Sequence, residues 1–212
     1  MEVRMSVITE ITPVRYQYNL VWDDGQRLTI RKKDMAKLGL TAGIEIEYEE
    51  LVGRLCPIQS ADAYESALTL LDSCARTESE MRKKLRLRHY VEPVIDYVVD
   101  RLTNANLLND TELAHRIAVN ASAGGKGKYA IVRKLRSKGI GSDDIEDAME
   151  EVTDEDQKKN CLKECRRLSA KYDSTDKRAY KNKLSQALMR RGFSWDSIEY
   201  AMNRVLDGDD DD

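Results

Sequence analysis

The stretch KYAIVRKLRSKGIGSDDIEDAMEEV, residues 128–152, decides the fold of this chain. Apolar side chains recur in it three or four positions apart on both sides of Gly139, which is the spacing of amphipathic helices. Glycine adopts a left-handed backbone without steric cost, so Gly139 predicts a tight turn at the end of the first helix. The stretch therefore predicts two helices joined by a short turn.

The same pattern occurs at two further places along the chain. Residues 78–102 and 181–205 align with residues 128–152 without a gap, and the three copies begin about 50 residues apart. Three apolar positions coincide in all copies: Leu85, Leu135 and Leu188; Met81, Ile131 and Leu184 four residues earlier; and Ile95, Ile145 and Ile198 ten residues after the leucines. This internal repeat predicts three equivalent pairs of helices.

The ends of the helices are also marked in each copy. Gly192 occupies the place of Gly139 in the third copy, whereas the first copy has His89 there, and we expect its helix to end less sharply. Glu80 follows Thr77 at the spacing of a capping box. The N-cap candidates of the three copies are Thr77, Ser142 and Ser194.

Each pair of helices is preceded by another amphipathic segment, which adds a third helix to the unit. The apolar stripes of these segments are Tyr64, Ala67, Leu68 and Leu71; Leu113, Ala114, Ile117 and Ala118, with Asp110 or Thr111 as the cap; and Cys161, Leu162, Cys165 and Leu168. We therefore predict a mainly α fold, a tandem repeat of three three-helix modules in an elongated curved array. The expected modules cover residues 60–108, 109–152 and 153–206.

The first 55 residues predict a small β-rich N-terminal extension instead. Every second residue from Tyr16 to Trp22 is apolar or aromatic, which is the pattern of a half-buried strand. Asp24-Gly25 is then a hairpin signal, and residues 28–30 alternate as the returning strand. The remaining expected elements are a short helix over residues 32–38, ended by Gly39, and a strand over residues 44–48.

The aromatic residues of the first predicted strand allow two interpretations. Tyr16, Tyr18 and Trp22 form either a stacking platform for single-stranded nucleic acid or a small face packed on the helical body. A sheet this small needs support from another element, which favours packing.

Composition and charge limit the class of protein. The chain has 212 residues, 34% of them charged, and a formal net charge of −3, so the overall charge carries no nucleic-acid signature. The acidic run at residues 207–212 predicts a disordered tail. Residues 1–10 lack the apolar core of a signal peptide, and no segment reaches the roughly 18 apolar residues of a membrane span. We therefore expect a cytoplasmic monomer with reduced cysteines and no membrane contact.

Candidate catalytic and metal-binding groups are few. The two histidines, His89 and His115, have no recognisable partner in the sequence. Cys161 and Cys165 lie four residues apart on an apolar stripe, without the further ligands that a closed zinc site needs. We therefore predict a protein that is not an enzyme and has no metal or other cofactor.

The glycine- and lysine-rich segment at residues 124–128 invites comparison with a phosphate-binding loop. It lacks the G-x-x-x-x-G-K-[ST] pattern, and a helix rather than a strand is expected before it. Two interpretations stay open: a flexible basic loop that touches a phosphate backbone, and a solvated linker.

The middle helix of each module is strongly basic. A solvated helix face usually mixes basic and acidic residues, which pair four positions apart. Three helices with the same bias indicate an extended basic surface for a polyanion or an acidic protein face. The alternative is ordinary solvation, offset by the acidic third helices. The candidate contact residues are Arg82, Lys83, Arg86, Arg133, Lys134, Arg136, Lys181, Arg190 and Arg191.

Several of these segments together resemble the RecX family. The matching residues are Leu70-Leu71, Arg76-Thr77, Ser79-Glu80-Met81, Leu85, Leu107-Leu108-Asn109-Asp110 and Ala114; then Lys128 to Ile140; then Lys171-Tyr172, Lys183-Leu184, Leu188, Arg190-Arg191-Gly192-Phe193 and Ile198. The resemblance runs from about residue 61 to residue 206, and its triple spacing makes it fairly specific. His89-Tyr90 replaces the family's usual lysine-glycine turn, and Leu113 replaces its usual aromatic residue.

The resemblance implies a regulatory protein without enzymatic activity or cofactor. RecX-like proteins lie along the helical groove of the RecA nucleoprotein filament, and they restrain its strand exchange, ATP hydrolysis and co-protease activity. The RecA filament is therefore the expected partner, in the regulation of DNA repair, recombination and the SOS response. The alternative is a direct DNA-binding protein with helix-turn-helix-like modules, which would contact single- or double-stranded DNA through the basic helices.

Overall fold

An antiparallel sheet of three strands lies at the start of the computed structural model, which describes residues 6–172 and 176–206. The strands are β1 (Ile8–Val14), β2 (Gln17–Trp22) and β3 (Arg27–Arg31), in the order β1-β2-β3, and helix α1 (Lys32–Leu38) follows them. The predicted hairpin and short helix are confirmed, and Gly39 ends the helix with a left-handed φ of 62°. The sequence does not predict strand β1, because its residues, ITEITPV, do not alternate between polar and apolar.

The predicted strand at residues 44–48 is wrong. Glu45 makes only an isolated bridge to Val7, and helix α2 (Tyr48–Ser73) begins where the strand was expected to end. This helix passes through residues 55–60, so the extension and the first module share it. Trp22 explains the early start: its ring lies edge-on to Tyr48, with centroids 5.5 Å apart, and its Nε1 donates a 2.8 Å hydrogen bond to the Ile46 carbonyl.

Nine helices carry the tandem repeat in the described part of the chain. They are α2, α3 (Glu78–Arg86) and α4 (Glu92–Asn104); α5 (Asp110–Ala123), α6 (Lys128–Ser137) and α7 (Ser142–Glu150); and α8 (Asp154–Ser169), α9 (Lys177–Arg190) and α10 (Trp195–Leu206). The chain divides into two compact units between Leu108 and Asn109. The first unit holds the sheet and the first module, and the second unit holds the other two modules. The predicted acidic tail, residues 207–212, lies outside the described residues.

The repeat positions are the cores of the modules. The anchor leucines and the apolar residues four positions before them are all fully buried: Leu85, Leu135, Leu188, Met81, Ile131 and Leu184. Each module has its own cluster of buried side chains, and the cluster of the first module continues into the sheet. The mainly α fold with three three-helix modules and a small sheet is therefore confirmed.

His89 ends its helix as sharply as glycine does in the other copies. Its φ is 58°, close to 77° for Gly139 and 84° for Gly192, so the expectation of a less sharp end is wrong. Gln59 stabilises this strained turn from helix α2: its Oε1 accepts the Val91 N–H at 2.9 Å, and its Nε2 lies 3.4 Å from the His89 carbonyl oxygen.

A buried ionic network joins the extension to the first module. Asp34, 1% exposed, accepts two hydrogen bonds from Arg31 at 2.6 and 2.9 Å and one from Gln59 at 2.8 Å. Arg31 also pairs with Asp62 at 2.6 Å, and its guanidinium lies 4.1 Å from the ring centroid of Tyr90. The sheet, α1, α2 and the turn before α4 are therefore tied together by one set of charges.

The N-cap predictions are confirmed in part. Thr77 forms the expected capping box with Glu80, and Ser194 accepts a 3.3 Å hydrogen bond from the Ser197 N–H. Ser142 is not a cap, because it is the first residue of its helix. Asn109, rather than Asp110 or Thr111, caps α5 through the Glu112 N–H.

These caps predict a difference in stability between two matched substitutions. Thr77→Ala removes a side-chain cap, so we expect it to lower the free energy of unfolding by about 1 kcal/mol. Ser142→Ala removes no cap, so we expect no measurable change. Urea unfolding of both variants beside the unaltered protein tests this. Equal effects would show that the Thr77 box contributes nothing to stability.

Candidate functional site

The predicted contact residues of the first module are largely engaged in ion pairs. Arg82 pairs with Glu78 at 2.8 Å and with Asp96, and Arg86 pairs with Glu92 at 2.6 Å. The hydrogen bonds that both guanidinium groups donate to these carboxylates raise their pKa. Lys83 is exposed and has no ion pair within the described ranges. Two of the three predicted contact residues of α3 are thus neutralised by their own module.

The basic residues of the second module are in a different situation. Arg133, Lys134 and Arg136 are exposed, and none of them has a carboxylate partner in residues 6–172 and 176–206. The repeat explains the contrast between Arg86 and its equivalent Arg136, because the position that holds Glu92 in the first module holds Ser142 in the second. Helix α6 therefore presents positive charge that its own module does not neutralise.

The predicted residues of the third module divide into two kinds. Arg191 pairs with Glu164 at 3.1 Å, and Arg167 pairs with the same carboxylate at 2.9 Å. Arg190 and Lys181 are exposed and have no ion pair in the part of the chain that the structure describes. Of the three, only Arg190 lies beside the basic residues of α6.

A groove brings these residues together. It has a volume of about 680 Å³ and is lined by Asn120, Ala121, Gly124, Lys126, Ala130, Arg133, Lys134, Ser137 and Arg190. Four of its lining side chains are cationic, and none of those in the described ranges is acidic. We call this cavity, between α5, α6 and the C-terminal end of α9, the basic groove. It collects Arg133, Lys134 and Arg190, whereas Arg136, Lys181 and Arg191 are not among its lining residues.

Lys126 is the groove cation that the list of candidate residues lacks. Its signal is present in the sequence, in the glycine- and lysine-rich segment before α6. The end of that segment is bonded to the third module. The Gly127 N–H donates a 2.9 Å hydrogen bond to the Arg191 carbonyl, and the Tyr129 N–H donates a 3.0 Å bond to the Gly192 carbonyl. The solvated-linker interpretation is therefore wrong, because residues 127–129 are packed against the third module, while contact of this segment with a phosphate backbone stays a prediction.

The third module also caps helix α6. The first backbone N–H groups of a helix have no partner within the helix. Gln157 of α8 accepts the Lys128 N–H at 2.9 Å through its Oε1, and the Gly192 carbonyl accepts the next N–H. We call these contacts, between residues 127–129 and residues 157, 191 and 192, the junction. In the first module, Thr77 caps helix α3 from within the same module. In the second module, the junction caps helix α6 with groups from the third module.

The remaining chemistry-bearing residues have structural surroundings. Cys161 and Cys165 are fully buried, and burial raises the pKa of their thiols to about 12 and about 11. His115 does have a partner, contrary to expectation: its Nδ1 lies 2.9 Å from Glu151 Oε1. Across the described ranges, no group of three His, Cys, Asp or Glu side chains is placed to hold a metal ion.

The aromatic residues of the extension do not form a stacking platform. Trp22 is 1% exposed and Tyr18 is half-buried, while Tyr16 is 74% exposed. The packed alternative is therefore confirmed for Trp22 and Tyr18 but not for Tyr16. Among the described helices, none has the length and hydrophobicity needed to cross a bilayer.

Comparisons with known proteins match all three modules. Family models for RecX match in order: the first three-helix domain at residues 63–102, the second at 109–149 and the third at 154–202. A regulatory protein RecX of Streptococcus sanguinis is 31% identical over 93% of this chain and 76% of its own length. This chain belongs to the RecX family.

Other RecX proteins agree with this assignment. The regulatory protein RecX of Bacillus subtilis is 27% identical over 98% of this chain and 80% of its own length. A crystal structure of regulatory protein RecX has a TM-score of 0.65 and 26% identity over 94% of this chain and all of that one. RecX from Lactobacillus salivarius has the same TM-score, with 28% identity over 70% of this chain and 97% of its own. The chain therefore has a RecX-type regulatory role.

Proposed function

We propose that this RecX family member binds the RecA nucleoprotein filament and modulates, mainly by inhibition, its recombinase, ATPase and co-protease activities. The observation that carries the proposal is the unneutralised basic face of α6, with Arg190 of α9 beside it. A nucleoprotein filament offers both DNA phosphates and acidic protein surface to such a face. We propose the same nine basic residues as contacts, with those of α6 and Arg190 foremost because their charges are not paired.

Tandem modules suit a filament because they can contact several of its subunits at once. Weak contacts that are linked in one chain add up to an avidity for the assembled filament over a free monomer. We accordingly propose a monomer that acts without catalysis of its own. The burial of Cys161 and Cys165 supports this view, since a thiol acts as nucleophile or ligand through its thiolate form.

The test is the DNA-dependent ATPase of the cognate recombinase. We expect substoichiometric amounts of this protein to lower the rate of ATP hydrolysis and to shorten filaments in electron micrographs. Unchanged hydrolysis together with unchanged filament length would refute the proposal. A direct DNA-binding protein would instead bind bare DNA as tightly as it binds the filament.

A triple charge reversal tests the proposed contact face. We expect R133E/K134E/R136E to reduce filament affinity by roughly a hundredfold or more, because three attractive contacts become repulsive. All three side chains are exposed, so the free energy of unfolding should stay nearly constant. Co-sedimentation with filaments assembled on single-stranded DNA measures the affinity.

The matched control reverses three exposed charges in the N-terminal extension. R27E/K32E/K37E changes the net charge by the same amount on another surface, so we expect the control to retain most of the affinity. An equal loss in both variants would show that overall charge, rather than the α6 face, governs binding.

A further inference from the structure

The basic groove has the features of a site for a chain of phosphates. Its four cations lie in a cavity whose described lining has no carboxylate, so that their charges add rather than cancel. Two of them, Arg133 and Arg190, are arginines, whose planar guanidinium groups match the oxygen geometry of a phosphate with paired hydrogen bonds. Asn120 and Ser137 add uncharged polar groups to the lining.

An exposed aromatic ring, Tyr129, lies near Arg133 on α6, although it lines a neighbouring cavity with Lys128 and Asp154 and not the groove itself. Tyr129 is 66% exposed and precedes Arg133 by four residues, so the two side chains lie on the same face of α6. Cationic grooves that follow a backbone, with exposed rings on which bases stack, are typical of proteins that bind single strands. A groove of about 680 Å³ is of the size that holds a small organic ligand, which is enough for a short stretch of one strand.

The groove is built jointly by two modules. Lys126, Arg133 and Lys134 belong to the second module, and Arg190 belongs to the third. The junction sets their relative position, because the Gly127 N–H is bonded to the carbonyl of Arg191, the neighbour of Arg190. Glu164 does not cancel this charge, since its carboxylate is already bonded to Arg191 and Arg167.

We infer that the basic groove binds the phosphodiester backbone of single-stranded nucleic acid, as a composite site that exists only while the second and third modules are docked. The inference deepens the proposed function and rests on it, because it assigns the groove to the filament's DNA rather than to the surface of the recombinase. Binding to a bare strand through one groove is weak, and the other filament contacts add to it.

The test uses a fluorescein-labelled 20-nucleotide oligothymidylate and the full chain, with affinity measured by anisotropy between 20 and 200 mM salt. We expect R133A/R190A to lower affinity roughly tenfold at low salt and to reduce the salt slope by about 1.4, which is the share of two phosphate contacts on a single strand. The matched control is K177A/K183A, which removes two exposed charges of α9 that are neither groove-lining residues nor proposed contacts and should change affinity less than twofold.

A substitution that removes no charge tests the composite nature of the site. Gln157→Leu deletes the side chain that caps α6 from the third module but leaves all four groove cations in place. We expect its affinity for the oligothymidylate to fall at least threefold while circular dichroism shows the helices intact. An unchanged affinity would mean that the groove does not depend on the junction.

Three other outcomes would overturn the inference. Equal losses for the two double variants would mean diffuse attraction instead of a groove. Displacement of the oligothymidylate by micromolar ATP, dependent on Arg190, would assign the groove to a free nucleotide. Unchanged oligothymidylate binding by R133A/R190A, with weaker inhibition of the recombinase ATPase, would place the recombinase itself in the groove and leave the proposed function standing. Failure of the unaltered protein to inhibit that ATPase would refute the proposed function alone.

Discussion

Gly127→Ala is expected to open the junction and to lower the free energy of unfolding of the second and third modules by about 3 kcal/mol or more. A Cβ atom on Gly127 would lie 2.1 Å from both the carbonyl carbon and the carbonyl oxygen of Gly192. Backbone atoms cannot rotate aside as the end of a long side chain can, so relief requires the two modules to separate. The hydrogen bonds that cap α6 from the third module would be lost with that movement.

Gly141→Ala is the matched control for this prediction. Gly127 and Gly141 are both N-cap glycines with nearly the same extended backbone, at φ −77° and ψ 159° and at φ −63° and ψ 158°. A Cβ atom on Gly141 would meet nothing closer than 3.5 Å, at Asp144 Oδ2. Any loss of stability specific to Gly127→Ala therefore reports the contact with Gly192.

Chemical denaturation and amide hydrogen exchange measure the outcome. We expect the Lys128 and Tyr129 amides to exchange much faster in Gly127→Ala and at an unchanged rate in Gly141→Ala, because only the first loses its acceptors. Protected amides in a stable Gly127→Ala variant would show that the junction can absorb a methyl group, and that it is not the tight contact described above.

The three-helix repeat could be predicted from the sequence because its signal is local. Apolar residues such as Ile131 and Leu135 recur at helical spacing, and the positions that align between copies are the ones that become buried. Strand β1 and the start of α2 depend on contacts that local pattern does not encode. Tyr48 joins a helix because Trp22, far away in sequence, packs against it.

The candidate site could be predicted only in part, for a similar reason. Basic character identifies Arg82 and Arg133 equally well, and only the three-dimensional arrangement shows that the first is paired and the second is not. One clue was available in the sequence: the repeat alignment sets Ser142 opposite Glu92, which removes the partner of Arg136. Nothing comparable indicates that Gly127 meets Gly192, since that contact joins two different copies of the repeat.

Asp34→Ala is expected to lower the stability of the first unit by about 3 kcal/mol. The substitution removes the carboxylate that accepts two hydrogen bonds from Arg31, whose side chain is only 12% exposed. It also removes the better of the two acceptors of Gln59 Nε2, the residue that holds the turn at His89. Most of the expected loss comes from leaving a desolvated guanidinium with Asp62 as its one remaining carboxylate partner in the described ranges.

The control for Asp34→Ala is a substitution that breaks an ordinary exposed salt bridge. Glu50→Ala breaks the pair with Arg54, in which both side chains are about half exposed, so we expect a change below about 1 kcal/mol. The double variant R31M/D34L should recover much of the stability lost in Asp34→Ala, since it leaves no buried charge unpaired. Urea unfolding of all three variants measures these differences. If Asp34→Ala costs no more than Glu50→Ala, the network is not what holds the extension on the first module, and the packing around Trp22 must do so alone.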